Sequence, residues 1–405
     1  MPKEQPKPGI AFFFRYSPAD HTELSPAVPE LIKRLSESAS VHYFGMNTAK
    51  PIPPLIQRHA TLHLCPFRVN RASSRDKFIK AILWYLWMPW IGLRCRFTGI
   101  DVVYFNDYLP LGAWLVRLFY GRNYAYWVGD FLHHVYAEKT PWIKPLARLI
   151  DRLDVAAWRK TPLIFTHAHA TVVFLENHGI PASRMITVHD PCDTHLYRPV
   201  PKSEARQRWK YADNDFVLVH HGILHPNKGI DRIITALAPL MKADPLVHFL
   251  IVGSGPEMSP LKTQVEQLGL TEQVQFTGWL ESLEDVNLAL NAGDVGLVMR
   301  TGGTYDDFHT TSALVHSMAA GLAVLSARRG GMAEVIIDGE NGFLFDPDNM
   351  DEFRERLLKL RSSPELRRRF GKAARDLACE LFSITRVVDR ISEPLLKLAR
   401  HESFG

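Results

Sequence analysis

The chain has 405 residues, 46% of them hydrophobic and 22% charged, an ordinary soluble globular composition with room for about two or three folded domains. Its four cysteines, Cys65, Cys95, Cys192 and Cys379, form no C-x-x-C pair, which argues against a disulfide framework or a zinc site and for a reducing, cytoplasmic setting. The net charge of +5 is carried by one stretch, Lys77 to Lys160, where 12 Lys and Arg stand against 6 Asp and Glu.

The opening MPKEQPKPGIAFFF is polar and Pro-rich before a short apolar run, so it reads as a first strand without the apolar region of a secretion signal. Further strands are expected at Val41 to Phe44, Thr61 to Leu64, Val102 to Phe105, Tyr124 to Val128, Leu163 to Thr166 and Met185 to Val188. Between them lies KFIKAILWYLWMPWIGLRCRF, residues 77–97. Its uncharged centre, Ala81 to Leu93, is shorter than the ~20 residues a bilayer requires, and Pro89 would kink it as a helix. It can instead lie on an anionic membrane surface, with Trp84, Trp87 and Trp90 at headgroup level and Lys77, Lys80, Arg94 and Arg96 toward the lipid. A core helix followed by a loop is the other reading.

The polar segment from Tyr197 to Asp215, with two prolines, puts the domain linker near its start. Beyond it, strands are expected at Phe216 to His220, Val247 to Val252, Val274 to Thr277, Val295 to Val298, Ala323 to Ser326 and Gly342 to Phe345. Apolar strands alternating with amphipathic helices predict an α/β protein with a parallel sheet in each half. Ligands of such sheets bind beyond the carboxyl ends of the strands.

Three segments carry the chemistry. In VLVHHGILHPNKGIDRIITALAPL a strand ends in a loop holding Gly222, Ile223 and Lys228 just before a helix; a helix start and an ammonium together favour a diphosphate. A turn with a solvated lysine fits as well. FLIVGSGPEMSPL closes a strand on Gly253 and Gly255, where backbone can approach a ligand, and FTGWLESLEDVNLALNAGDVGLV repeats the pattern at Gly278 and Trp279, which also fits a plain turn. In FHTTSALVHSMAAGLAVLSARRGGMAEVI, Thr310, Thr311 and Ser312 open a helix and His316 lies one turn on, facing the same ligand or buried as structure. The Asp-x-Asp strings at Asp213/Asp215 and Asp346/Asp348 read as turns, not as a metal site.

Taken in order, these segments, with DGENGFLFDPDN, resemble the C-terminal half of retaining glycosyltransferases of family four, over about residues 160 to 390. The resemblance implies a GT-B fold, two Rossmann-like domains whose parallel sheets face each other across a cleft. It divides the chain into an acceptor domain, 1–198, a nucleotide-sugar donor domain, 199–385, and a C-terminal helix, 386–405, packing back toward the first. It also implies that Lys228 contacts the donor diphosphate and that Gly278 lies beside the base. Three family positions differ: Ile223 stands for an arginine, and Phe308 and His316 for a pair of glutamates. Arg300 could restore the lost cation; Asp306, Asp307 or His309 could take the sugar contact.

The expected reaction moves a sugar, UDP- or GDP-linked, to a glycan or lipid-linked acceptor in envelope polysaccharide or glycoconjugate synthesis. The resemblance implies retention, with Lys228 and the amides near Thr310 and Thr311 stabilising the leaving diphosphate. Lys228, His316, Asp130 and His133 are the catalytic candidates, the last two in VGDFLHHVY after a first-half strand. No metal, no cofactor beyond the donor and no nucleic acid are expected; the location is cytoplasmic, with peripheral attachment to the inner face of the membrane. A catalytically silent nucleotide-sugar-binding scaffold and a sugar-nucleotide epimerase of related fold are the alternatives.

Overall fold

A computed structural model describes residues 6–21, 26–68, 74–106, 110–121, 123–129, 141–301, 308 and 310–402. Among the described residues thirteen strands form two sheets, each parallel throughout. The first contains β1 (Gly9–Phe14), β2 (Ser40–Asn47), β3 (Thr61–Arg68), β4 (Val102–Phe105), β5 (Tyr124–Val128), β6 (Leu163–Thr166) and β7 (Met185–Thr187), in the order β3-β2-β1-β4-β5-β6-β7. The second contains β8 (Phe216–His221), β9 (Val247–Val252), β10 (Val274–Gly278), β11 (Val295–Val298), β12 (Ala323–Ala327) and β13 (Phe343–Phe345), in the order β10-β9-β8-β11-β12-β13.

Helices cover both faces of each sheet, so a central strand is apolar at every position, as in the fully buried GIAFFF of β1. In the first sheet Phe12, Tyr104 and Trp127 face the helices Ala27–Ser36 and Ile384–Ala399. Their neighbours Phe13, Phe105 and Tyr126 face the other way, where Tyr126 meets Trp158.

The chain forms two compact units, one made of Met1–Pro191 with Ile384–Gly405 and one of Cys192–Ser383. In the first, the helix Ile384–Ala399 buries Val387, Ile391, Leu395 and Leu398 in the core. In the second, Cys192 donates its amide to Phe382 O at 2.7 Å and forms a β-bridge with Ser383, joining the two ends of the unit. The polar stretch after Tyr197 is integral to this unit: the Arg198 and Val200 amides donate to Asn287 and Asn291, and buried Arg206 donates to Asp294 at 2.9 Å. Asp294 also accepts the Val217 amide. It thereby satisfies the start of β8 and gives buried Arg206 the partner a desolvated guanidinium requires.

The helix Ser74–Phe97 runs unbroken through Pro89. Two of its residues expected to face lipid point inward. Trp84 is fully buried, and Lys80, 3% exposed, lies 3.4 Å from Asp20 Oδ2 with its ammonium over the Tyr16 ring. A helix apolar all round carries no period to mark its inner face, and a lysine can be drawn inside where a buried carboxylate meets it.

Candidate functional site

At the carboxyl edge of the second sheet, backbone hydrogen bonds zip together the loops after β8, β9 and β10. Gly222 donates to Val252 O at 2.9 Å, Leu224 to Ser254 O at 3.0 Å and Gly253 to Gly278 O at 3.0 Å. Such closeness excludes side chains. A Cβ on Gly253, whose φ is +135°, would meet Gly222 O at 2.0 Å, and one on Gly255 would meet Leu224 O at 2.3 Å. The zipper leaves Ile223 and Trp279 largely exposed, at 55% and 68%.

Lys228 ends a single 3-10 turn, Pro226–Lys228, and Gly229, left-handed at φ 56°, turns the chain into the helix Ile230–Ala243. The amides of a helix start and the positive end of its dipole therefore follow Lys228 directly in the chain. Asn227 O accepts the Thr301 amide at 2.9 Å, tying this loop to the segment that follows β11.

From the other side comes the helix Ser312–Ala319. The Thr311 hydroxyl caps it by accepting the Leu314 amide, and the Thr310 hydroxyl donates to Gly331 O at 3.2 Å, so both are engaged within the protein. Ser312, at the first turn, is exposed. His316 stacks on Tyr197 with ring centroids 3.8 Å apart and lies 5.2 Å from the His221 ring.

Burial pushes His221 down to about 4, with the charge of Lys228 acting the same way. Burial likewise holds His220 at about 3, helped by Lys228 and Arg300. Both imidazoles are therefore neutral near pH 7. His220, His221 and Tyr197 were not singled out from sequence; the signal was a pair of histidines closing the apolar run FVLVHH. Phe308 is buried at 8% exposure, while Asp306, Asp307 and His309 lie outside the described residues. The Asp215 and Asp346 carboxylates accept amides of their own turns, Ala212 and Asp348.

The carboxyl edge of the first sheet has a different construction. A cavity of about 230 Å³ is walled by Phe14, Tyr16, Tyr104 and Trp127 and rimmed by Asn106, His21, His167, His189 and Asp190. His21, 2% exposed, meets the Tyr43 hydroxyl at 2.6 Å through Nε2, and burial pushes it down to about 3. His167 Nδ1 lies 3.3 Å from Asp190 Oδ1. Asn106 and His167 each directly follow a strand, which is the sequence signal that would have found them. Asp130 and His133 lie outside the described residues.

Residues 201–377 match the family model described as glycosyl transferases group 1. A GDP-mannose-dependent α-(1-6)-phosphatidylinositol monomannoside mannosyltransferase of Mycolicibacterium smegmatis is 30% identical over 190 residues, 46% of this chain and 50% of that protein. An N-acetyl-α-D-glucosaminyl L-malate synthase of Bacillus anthracis is 22% identical over 219 residues, 54% and 55% of the two chains. The chain spans about half the length of these curated relatives. The solved structure of Anabaena Alr3699/HepE in complex with UDP superposes with a TM-score of 0.71 at 22% identity, covering 96% of this chain and 99% of that one. The two parallel-sheet units have the GT-B fold, and residues 201–377 of the second are similar to the glycosyl transferases group 1 model.

Proposed function

We propose that the chain transfers a sugar from a nucleotide diphosphate sugar, UDP- or GDP-linked, to a glycan or lipid-linked acceptor in envelope polysaccharide or glycoconjugate synthesis. One observation carries the reading. At the carboxyl edge of the second sheet, Lys228 ends the loop that turns into the helix Ile230–Ala243, while His221 at the end of β8 lies 5.2 Å, ring to ring, from His316 on the helix Ser312–Ala319. An ammonium, two helix starts and side-chain-free glycine loops make a receptor for a diphosphate and its ribose. UDP in the HepE structure and GDP-mannose in the name of the mycobacterial relative support the donor class.

In this reading Lys228 and the helix amides stabilise negative charge on the departing diphosphate. They do so in a site built before the substrate arrives, so little reorganisation opposes the reaction. That fixed positive charge is what a metal would otherwise supply, and retention follows from the resemblance. His316, its ring plane held by Tyr197, takes the ribose contact through a neutral or charged imidazole in place of a carboxylate. The aromatic cavity of the first unit takes the acceptor, and Asp130 and His133 keep the catalytic role read for them from the sequence. The setting is cytoplasmic, with residues 77–97 resting on the inner face of the membrane.

The test is transfer from UDP- and GDP-sugars by the wild type and Lys228→Ala. Loss of the cation lowers turnover by about 10²–10³; unchanged turnover removes Lys228 from the diphosphate site. A silent binding protein is the second reading, favoured by the buried Phe308 at a family glutamate position. Calorimetric UDP binding with no turnover in the wild type would select it.

A further inference from the structure

One face of the first sheet is covered by three helices in contact: Ser74–Phe97, Gly112–Phe119 and Lys144–Trp158. Gly92 of the first is packed against Phe119 of the second, and Trp114 of the second donates to Leu153 O of the third at 2.6 Å. Their inner sides are buried through Trp84, Met88 and Ile91, through Ala113 and Val116, and through Ala147, Val155 and Trp158.

Their outer sides are apolar too. On the first helix Phe78, Ile82, Leu86, Trp90, Leu93 and Phe97 are exposed, at steps of four or three residues that align them along one side. The third helix repeats this pattern: Trp142, just before it, and then Leu146, Leu149 and Leu153 form a second exposed ridge. Leu118 of the middle helix is exposed as well, at 66%. Single exposed apolar residues need no explanation, but two full ridges on one layer expose an apolar surface that water alone does not favour.

Cations border it: Arg94 and Arg96 on the first helix, and Lys144, Arg148 and Arg152 on the third, are exposed. Of the third helix's acids, Asp154 is buried and spent on the Leu111 amide. A second copy of this chain would bring the same cations against themselves across a twofold interface. An anionic headgroup layer over hydrocarbon matches both the sign of the rim and the apolar centre. No helix among the described residues is long and apolar enough to cross a membrane.

We propose that this three-helix face, and not the 74–97 helix alone, seats the protein on an anionic lipid bilayer, the Trp142 to Leu153 ridge entering the headgroup boundary alongside the Phe78 to Phe97 ridge. The proposal rests on the reading of a membrane-associated transferase and names its lipid contact. The first helix also reaches inward, since Lys80 holds Asp20 in the loop after β1, whose Tyr16 walls the cavity. The lipid contact and the cavity loop thus share one rigid element.

The test is flotation with phosphatidylglycerol vesicles and with pure phosphatidylcholine vesicles. It uses the wild type, Leu86→Gln/Trp90→Ser, Trp142→Ser/Leu149→Gln and Arg148→Glu/Arg152→Glu, with UDP titrated on the same samples. Wild type floats with the anionic vesicles only, and less so in ~0.5 M salt. Each apolar pair substitution lowers the partition constant about 100-fold; the arginine pair substitution lowers it about 30-fold or more. Equal partitioning of wild type and Trp142→Ser/Leu149→Gln overturns the two-ridge face. So does a wild-type dimer in light scattering that this variant dissolves without any lipid binding. UDP titration reads the donor edge separately: wild type that floats but ignores UDP sinks the transferase reading and leaves the lipid face standing.

Discussion

The two sheets end in contrasting ways. At the carboxyl edge of the second, three loops are laced together by backbone hydrogen bonds, and glycines such as Gly253 and Gly255 let them touch. At the edge of the first, aromatic rings and imidazoles surround a cavity of about 230 Å³. A backbone-built edge suits a ligand part that is the same in every donor, a diphosphate, because amides cannot be exchanged by mutation. A side-chain-built edge can be recut for each acceptor. The family match, residues 201–377, lies within the second unit.

The contrast breaks first, if it breaks, at Gly253. Gly253→Ala forces a Cβ into the Gly222 carbonyl at a φ of +135°, which should cost about 3 kcal/mol and abolish nucleotide binding. Urea unfolding and UDP calorimetry read both effects. A stable variant that still binds UDP would show that the lacing is dispensable.

Protonation sharpens the comparison next. His220, near 6.5 when unfolded, is held at about 3 in the folded protein by burial. Between those values the unfolded chain binds the extra proton, so stability is full above pH 6.5 and falls as the solution is acidified toward 3. One such group contributes a slope of up to ~1.4 kcal/mol per pH unit. His220→Gln should make the acid limb shallower by about one proton, measured by urea midpoints between pH 6.5 and about 4.5. An unchanged slope would mean that His220 is already charged when folded.

The smallest effect is expected at the side-chain-built edge. Asn106 donates to the Tyr104 hydroxyl at 3.1 Å in the lining of the cavity, and in the proposed reading Asn106→Ala removes one polar contact from the acceptor. The acceptor KM should rise about tenfold while donor KM and stability hold. Donor KM moving with it would reassign the cavity.

How much of this was legible beforehand also follows the contrast. Strands buried on both faces are unbroken apolar runs, and Tyr124 to Val128 or Val247 to Val252 could be read directly, with the α/β architecture behind them. The second unit's loops were legible because glycine at a tight approach has no substitute. The cavity was not legible: it draws Phe14 and Ile391 together from far-separated parts of the sequence, and no spacing rule connects them. Nor was the inward turn of Lys80 and Trp84, since only tertiary contact with Asp20 decides which side of that helix is inside. Likewise, the second exposed apolar ridge, Trp142 to Leu153, looks in sequence like an ordinary amphipathic core helix.

The bridge between Cys192 and Ser383 bears on the order in which the protein can be made. The second unit enters and leaves at one stitched point, so as the ribosome passes residue 383 it has every residue it needs and can close on its own. The first unit, although begun earlier, must wait for Ile384–Ala399 to supply Val387, Ile391 and Leu395 to its core. The last residue of the inserted unit is therefore made before the last residue of the unit that encloses it in sequence, the reverse of the usual N-to-C order of domains.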